Sequence, residues 1–282
     1  MPRVLCAGLA TFDVIQLVDR LPHSDEKVAA LDFLTAAGGP AANAAVASAW
    51  LGDRPTLVTA LPRHPLSDLI AQDLAACGVD LEVVAEYQGA PITASIMITK
   101  ATGERAVVSP TSAATELPLE APVPDLDGVG AVLVDGYFRS LSLPIARAAR
   151  ERGIPVILDA GSVKPYIPEV LREVDIAVVS EPFARDGMDL LADAGVERVI
   201  ITQGGGSVLW RTPSGEGEVA LNPVPVVDTL GAGDFFHGAF AWRIATLGAD
   251  DARIADDVAF AAAVVARSLG SFGTREWLSQ RP

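Results

Sequence analysis

The stretch Val227-Asp228-Thr229-Leu230-Gly231-Ala232-Gly233-Asp234-Phe235-Phe236-His237-Gly238-Ala239-Phe240 restricts this chain more than any other segment. It opens on an extended apolar run, Val224 to Val227, turns on small residues, and ends in a helical pattern reaching to about Leu247. Gly231, Ala232 and Gly233 carry almost no side chain. Their N–H groups can face a cavity at the start of the helix, where the first donors lack partners within it. Free donors and the positive end of the helix dipole favour an anion. Asp234 follows directly, and a carboxylate beside an anion site is costly unless the chemistry uses it. A base that deprotonates a hydroxyl next to a phosphate uses both groups: the donors stabilise the transferring charge, and the carboxylate takes the proton. A lone Gly-x-Gly-Asp is explained as well by an ordinary strand–turn–helix with a first-turn acid, so the rest of the chain must decide.

The chain has 282 residues, half of them hydrophobic, enough to bury one large α/β core. With 36 acids against 21 bases, the formal net charge is −15. Such a surface repels nucleic-acid backbones and anionic lipid, which argues against both partners, yet leaves room for a small phosphorylated molecule in a local positive pocket. Cys6 and Cys77 stand singly in apolar stretches without metal-ligand spacing, the pattern of reduced core thiols in a cytoplasmic protein. No apolar run reaches the length of a bilayer span. The apolar start, Val4 to Phe12, ends at Asp13 with no cleavage pattern and reads as a first strand.

Short apolar runs alternating with helical periods predict a doubly wound, mostly parallel sheet flanked by helices. Strands are expected over 4–9, 56–60, 81–84, 131–134, 155–158, 176–179 and 199–202. Helices are expected over 66–77, 143–152 and 184–194, from 234 to about 247 and from about 250 to 267, with a closing hairpin at 207–210 and 219–221. The alternating run 93–99, its hairpin partner 106–109 and the short runs 14–18 and 27–34 predict a small antiparallel flap. It is formed by about 12–35 and 88–110 and inserted in a single domain, 1–282. Polar residues just past strand ends mark the ligand edge of such sheets, which singles out Asp135, Asp159, Glu181 and Gln203. Thr202 and the glycines Gly204 to Gly206 form a second close-approach loop suited to nucleotide phosphates. Gly38-Gly39-Pro40 opens an alanine-rich helix that Gly52 closes, and Asn43 is its polar exception, either a ligand or a solvent-facing residue.

Asp228 to Phe236 matches every fixed position of Asp-Thr-x-Gly-Ala-Gly-Asp-x-Phe, and on that run the chain resembles the ribokinase-like (PfkB) sugar kinases. The Gly-Gly pair leading into a helix with Asn43 one turn in is similar to the family's second landmark, and the order of strands, flap and signature agrees over nearly the full length. The resemblance implies transfer of the γ-phosphate of ATP to a sugar or nucleoside hydroxyl, with Mg²⁺. By position it makes Asp234 the base and Gly231, Ala232 and Gly233 the anion hole. Asp13, Gly38, Gly39 and Asn43 become sugar ligands, and Thr202, Gly204, Gly206, Thr229 and Gly231 nucleotide contacts. Asp228 resembles a residue that helps hold a monovalent cation in some members. The flap becomes a lid over the sugar that often carries a homodimer contact. Two positions depart from the family. Pro40 replaces a residue that is often polar, removing one sugar contact. Ser180-Glu181-Pro182-Phe183 replaces an Asn-x-x-Glu that organises Mg²⁺ through water, leaving Glu181 as a partial substitute. The motifs look most like the ketohexokinase and sulfofructose kinase branch. If the sugar carries an anion, Lys27, Arg105 and Arg139 are candidate partners, against the plainer reading of solvated surface charge. His237 lies either near the site or in packing.

Rival readings account for less. In a dinucleotide fingerprint starting at Gly231 the third glycine would fall on Phe236, whose side chain blocks helix–strand packing. A phosphate loop of the Gly-Lys type is absent from the chain. A non-catalytic sugar- or nucleotide-binding regulator would not need Asp234. A nucleoside kinase of the same family remains open.

Overall fold

The computed structural model describes residues 2–110 and 121–280. In chain order the elements are β1 (Arg3–Ala7), β2 (Thr11–Val18), β3 (Asp32–Gly38), α1 (Pro40–Trp50), β4 (Thr56–Ala60), α2 (Pro65–Ala76) and β5 (Asp80–Ala85). Then come β6 (Thr93–Thr99), β7 (Arg105–Val108), β8 (Val129–Val134), α3 (Arg139–Glu151), β9 (Val156–Ala160), α4 (Ile167–Leu171) and β10 (Ile176–Ser180). The chain ends with α5 (Glu181–Asp193), β11 (Arg198–Thr202), β12 (Val208–Thr212), β13 (Gly215–Val219), α6 (Ala232–Leu247) and α7 (Ile254–Ser268).

Continuous apolar strands need cover on both faces, and helices supply it. The main sheet has nine strands in the order β13-β12-β11-β10-β9-β8-β1-β4-β5, parallel except for the antiparallel β11–β12–β13 end. Alternate side chains feed two cores. Val4, Cys6, Leu57, Leu133, Ile157 and Val178 face the alanines of α1 and the aromatics of α6. Leu5, Val58, Val132, Leu158 and Val179 face α3, α4 and α5. Chain order reverses between β1 and β8, and such a switch point opens a crevice at the carboxyl ends of the strands.

Two features close that crevice. In α6, a Cβ on Gly238 would lie 2.1 Å from Ala44 O, so only glycine lets α1 and α6 cross at backbone contact. A second sheet, in the order β3-β2-β6-β7, stands beside the main one. Its outer pairings are antiparallel and its central β2–β6 pairing is parallel. One of its faces, with Ile15, Ala94, Ile96 and Ile98, packs on Phe272 and Leu230 of the loops around the crevice.

The expected elements recur with informative shifts. The run 27–34 is not the strand: β3 begins at Asp32 and reaches Gly38, because Leu34 pairs with Ile15 and Ala36 with Asp13. Helix α3 starts a turn earlier than expected, at Arg139. Pro144 cannot donate to Ser140 O, but Ala121 N fills that carbonyl at 2.9 Å, so the turn survives the proline. The run Val224–Val227 makes no strand. Pro223 and Pro225 remove alternate donors, and Val227 N instead bonds Leu269 O at 2.7 Å. The hairpin returns over Gly215–Val219, ahead of the predicted 219–221. Cys6 is buried, whereas Cys77 is only half-buried at the end of α2, so only the former is a core thiol.

Candidate active site

The centre of the crevice is the start of α6. Gly231 adopts φ 76° as the residue before the helix, and no side chain caps the first turn. Ala232 N bonds Thr229 O at 3.3 Å, while Gly233 stands against open space. Ala232, Gly233 and Phe236 form one wall of a cavity of about 650 Å³. Thr202, Gly204 and Gly205 line its opposite side, and Val208, Leu221, Val226, Ala262 and Ala266 complete it. An uncapped helix start thus opens into a cavity of nucleotide size with apolar walls, an arrangement that takes a phosphate at one end and a flat apolar base at the other.

Asp234, third residue of α6, stands on the other side of that turn. Asn43 of α1 donates from Nδ2 to Asp234 Oδ2 at 2.9 Å, which joins the two helices at the site. Burial, and then the charge of Asp159, push the Asp234 carboxyl up to about 7, while Asn43, His237 and Arg105 pull it down. A carboxylate with that proton affinity is matched to taking a hydroxyl proton near neutrality.

The Gly-Gly pair is explained by what lies against it. A Cβ on Gly38 would fall 1.9 Å from Asp13 Oδ2, so the buried Asp13 carboxylate sits directly on the Gly38 backbone. Thr11 Oγ1 donates to Asp13 Oδ1 at 2.6 Å, and burial raises this carboxyl to about 6. Gly39, at φ 95°, has Leu9 O where a Cβ would be. No side chain of α1 caps its own start. Asp135, at the end of β8, does so from across the crevice, accepting from Ala41 N at 3.2 Å and Leu9 N at 2.8 Å. Asp135 is therefore committed to holding the loop in place.

The remaining candidates divide. Gly206 closes the turn after β11 through Gly206 N to Gln203 O at 3.0 Å and does not line the cavity. The Thr229 hydroxyl donates to Gly103 O at 3.1 Å and accepts from Arg105 Nη1 at 3.1 Å, tying the β6–β7 turn to the loop before the helix. Asp228 accepts from Leu230 N at 2.7 Å and Gly273 N at 2.8 Å, joining two loops. Glu181 is exposed at the first turn of α5, behind Ser180, which caps that helix. Arg139 pairs with Glu169, and Lys27 is exposed.

Sequence reasoning missed two contributors. Arg275, in the loop after α7, donates to Asn43 Oδ1 at 3.2 Å, to Ala37 O at 2.6 Å and to Asp73 Oδ2 at 3.0 Å. A single arginine in a short irregular loop carries no periodic signal. The second is the pairing of two noted residues. His237 Nδ1 lies 3.3 Å from Asp159 Oδ2, and the ring sits between Gly233 O at 2.6 Å and Val178 O at 3.2 Å. Burial pulls the imidazole down and lifts Asp159 to about 8. His237 is thus buried packing that also acts electrostatically on Asp234.

This geometry has relatives. Ribokinase of Arabidopsis thaliana is 29% identical over 266 residues, covering 85% of this chain and 70% of that protein. An ATP-dependent ribose-1-phosphate kinase of Halopiger xanaduensis is 28% identical over 249 residues, covering 85% and 84%. The solved structure of Arabidopsis thaliana ribokinase complexed with ribose and ATP shares the fold, with a TM-score of 0.77 at 24% identity over 99% of each chain. The pfkB family carbohydrate kinase model matches residues 1–280. With Asp234, the uncapped helix start and the nucleotide-sized cavity in one crevice, the chain belongs to the pfkB family of carbohydrate kinases, phosphotransferases that act on an alcohol group.

Proposed function

We propose that this protein transfers the γ-phosphate of ATP to a hydroxyl of a small carbohydrate, with Asp234 as general base and the Gly231–Gly233 backbone as the anion hole. One observation carries the reading: Asp234 lies between the nucleotide cavity and Asn43 of the Gly-Gly helix, on the turn whose donors are uncapped. The adenosine end of ATP occupies the apolar cavity, and its phosphates run past Gly204 to Gly233. The sugar lies between Asp13, Gly38, Gly39 and Asn43 under the second sheet, which acts as a lid that excludes water from the transfer. Asp234 accepts the hydroxyl proton as the phosphoryl group moves in line.

Among the described residues no group of three or more His, Cys, Asp or Glu forms a ready cation cage. That fits a magnesium ion arriving on ATP phosphates with most of its water shell intact, Glu181 serving at most through water. When bound, the ion would supply charge neutralisation to the transferring phosphate. Asp228, pinned between the 228–231 and 271–274 loops, marks the place where a monovalent cation would knit them. The outer lid face offers Phe33, 58% exposed, and Val108, 76% exposed, as the apolar centre of a homodimer. No helix among the described residues is long and apolar enough to cross a membrane.

The acceptor is a ketohexose-like or modified sugar on the look of the Gly-Gly-Pro helix and the Ser-Glu-Pro turn. The relatives named as ribokinase and ribose-1-phosphate kinase put ribose and its phosphate beside it. ADP release with ATP·Mg²⁺ across pentoses, ketohexoses, sugar phosphates, sulfonated sugars and nucleosides tests this, with Asp234→Asn in parallel. A hit lost in the variant supports the reading and names the substrate class. No ATP binding at all would remove it.

A further inference from the structure

Asn43 is gripped from both ends. Its Nδ2 donates to Asp234 Oδ2 at 2.9 Å, and its Oδ1 accepts from Arg275 Nη1 at 3.2 Å. A guanidinium has only donors, so the amide oxygen must face Arg275 and the amide nitrogen must face Asp234. Arg275 is itself held on three further acceptors, Asp73 Oδ2 at 3.0 Å, Ala37 O at 2.6 Å and Thr274 O at 3.0 Å, and its side chain is only 16% exposed. Four acceptors on a nearly enclosed fork fix its plane.

We propose that Arg275 is a positioning residue for phosphoryl transfer: it locks the Asn43 amide so that a donor always faces Asp234. The proposal rests on Asp234 being the base. An ionised carboxylate only accepts, so it is satisfied by Nδ2. A protonated carboxyl can instead donate to an amide oxygen. An unlocked Asn43 could turn over and stabilise the protonated, inactive form. Arg275 forbids that rotation, so the bond supports the ionised base alone.

The other groups facing Asp234 are Asp159 at the end of β9, His237 one turn along α6 and Arg105 from β7. Arg275 also faces Asp13 and Asp73. Losing its charge could therefore act through Asp13 as well, and the test must separate the two routes.

The test is kcat/KM against pH, with the acceptor identified by ADP release, for the wild type, Arg275→Met, Arg275→Lys, Asn43→Ala and the Asn43→Ala/Arg275→Met double variant. Arg275→Met is expected to move the acid limb up by about half a unit to one unit, with the KM for ATP unchanged. Arg275→Lys, which keeps a donor and the charge, should restore part of the shift. In the Asn43→Ala background, Arg275→Met should move the limb no further. A shift of the same size in that background would assign the effect to Asp13 and overturn the proposal. So would a lower melting temperature with an unmoved limb in Arg275→Met. Full activity in Asp234→Asn would instead strike the base assignment itself, a separate result read on a separate variant.

Discussion

The two ends of the crevice are built from opposite materials. The apolar cavity proposed for the nucleotide is walled mostly by glycine, alanine, valine, leucine and proline, with Thr202, Asn222 and Phe236 among them and no charged side chain in its lining. The proposed acceptor end gathers Asp13, Asn43, Asp159 and His237, all buried, with the half-buried Asp234 and Arg275, most of them hydrogen-bonded to one another or to backbone. The first end offers shape and apolar surface. The second holds ionisable groups away from water, where each is costly alone and tolerable only in its set. Changes at the acceptor end should therefore alter rate and its pH dependence, while changes at the nucleotide end should alter affinity.

The sharpest test of that division is Asp234→Asn, expected to lower kcat by roughly 10²–10⁴ while leaving ATP affinity near that of the wild type. Loss of ATP binding in this variant, measured by calorimetry, would mean that the two ends are not separable. Next in size is Gly238→Val. Its side chain would meet Ala44 O, and separating α1 from α6 should cost about 3 kcal/mol of stability in a denaturant melt, or prevent folding. A well-folded Gly238→Val would show that the crossing tolerates slack. At the apolar end, Ala263→Phe should fill part of the cavity and raise the KM for ATP about tenfold, leaving the acceptor KM and the acid limb in place. A shift of that limb would contradict the comparison.

The smallest expected effect is on pH. Asp234 must be ionised to act, so with its carboxyl at about 7 activity should fall as pH drops through the range 8 to 6. The Asp159 charge raises that value, so Asp159→Asn should move the limb downward. Stability runs with the opposite sign. Asp159 and Asp234, at about 8 and about 7, hold a proton more tightly folded than unfolded, where a carboxyl sits near the ordinary value of about 4. Both therefore oppose folding increasingly as pH climbs from about 4 through 8. Asp159→Asn should melt above the wild type at pH 8, with the gap shrinking toward acid. A constant gap would mean that Asp159 holds its proton no more tightly folded than unfolded.

Most of the frame was legible because it is local. Apolar runs of strand length, the Gly-Gly start of α1 and the signature at α6 each declare themselves within a dozen residues, and the signature alone located Asp234. What escaped depends on contacts distant in sequence. The register of β3 is chosen by β2, not by its own alanines, and α3 keeps its first turn only because Ala121 reaches across to Ser140. Arg275 meets Asn43 across 232 positions. The apolar nucleotide wall was invisible for a different reason: alanines of α7 look the same whether they face a cavity or a core. Asn43 stood out as the polar residue among the alanines of α1, but neither of its partners, Asp234 and Arg275, was legible from that.

The contact of Gly238 with Ala44 has a mechanical consequence. Asn43 precedes Ala44 on one helix, and Asp234 lies one turn before Gly238 on the other, so the tightest crossing is next to the bond that spans the crevice. Two rods touching backbone to backbone cannot slide without a collision, so the gap between them is a fixed gauge. That gauge sets how far apart Asn43 and Asp234 stand, whatever binds between the loops beside them.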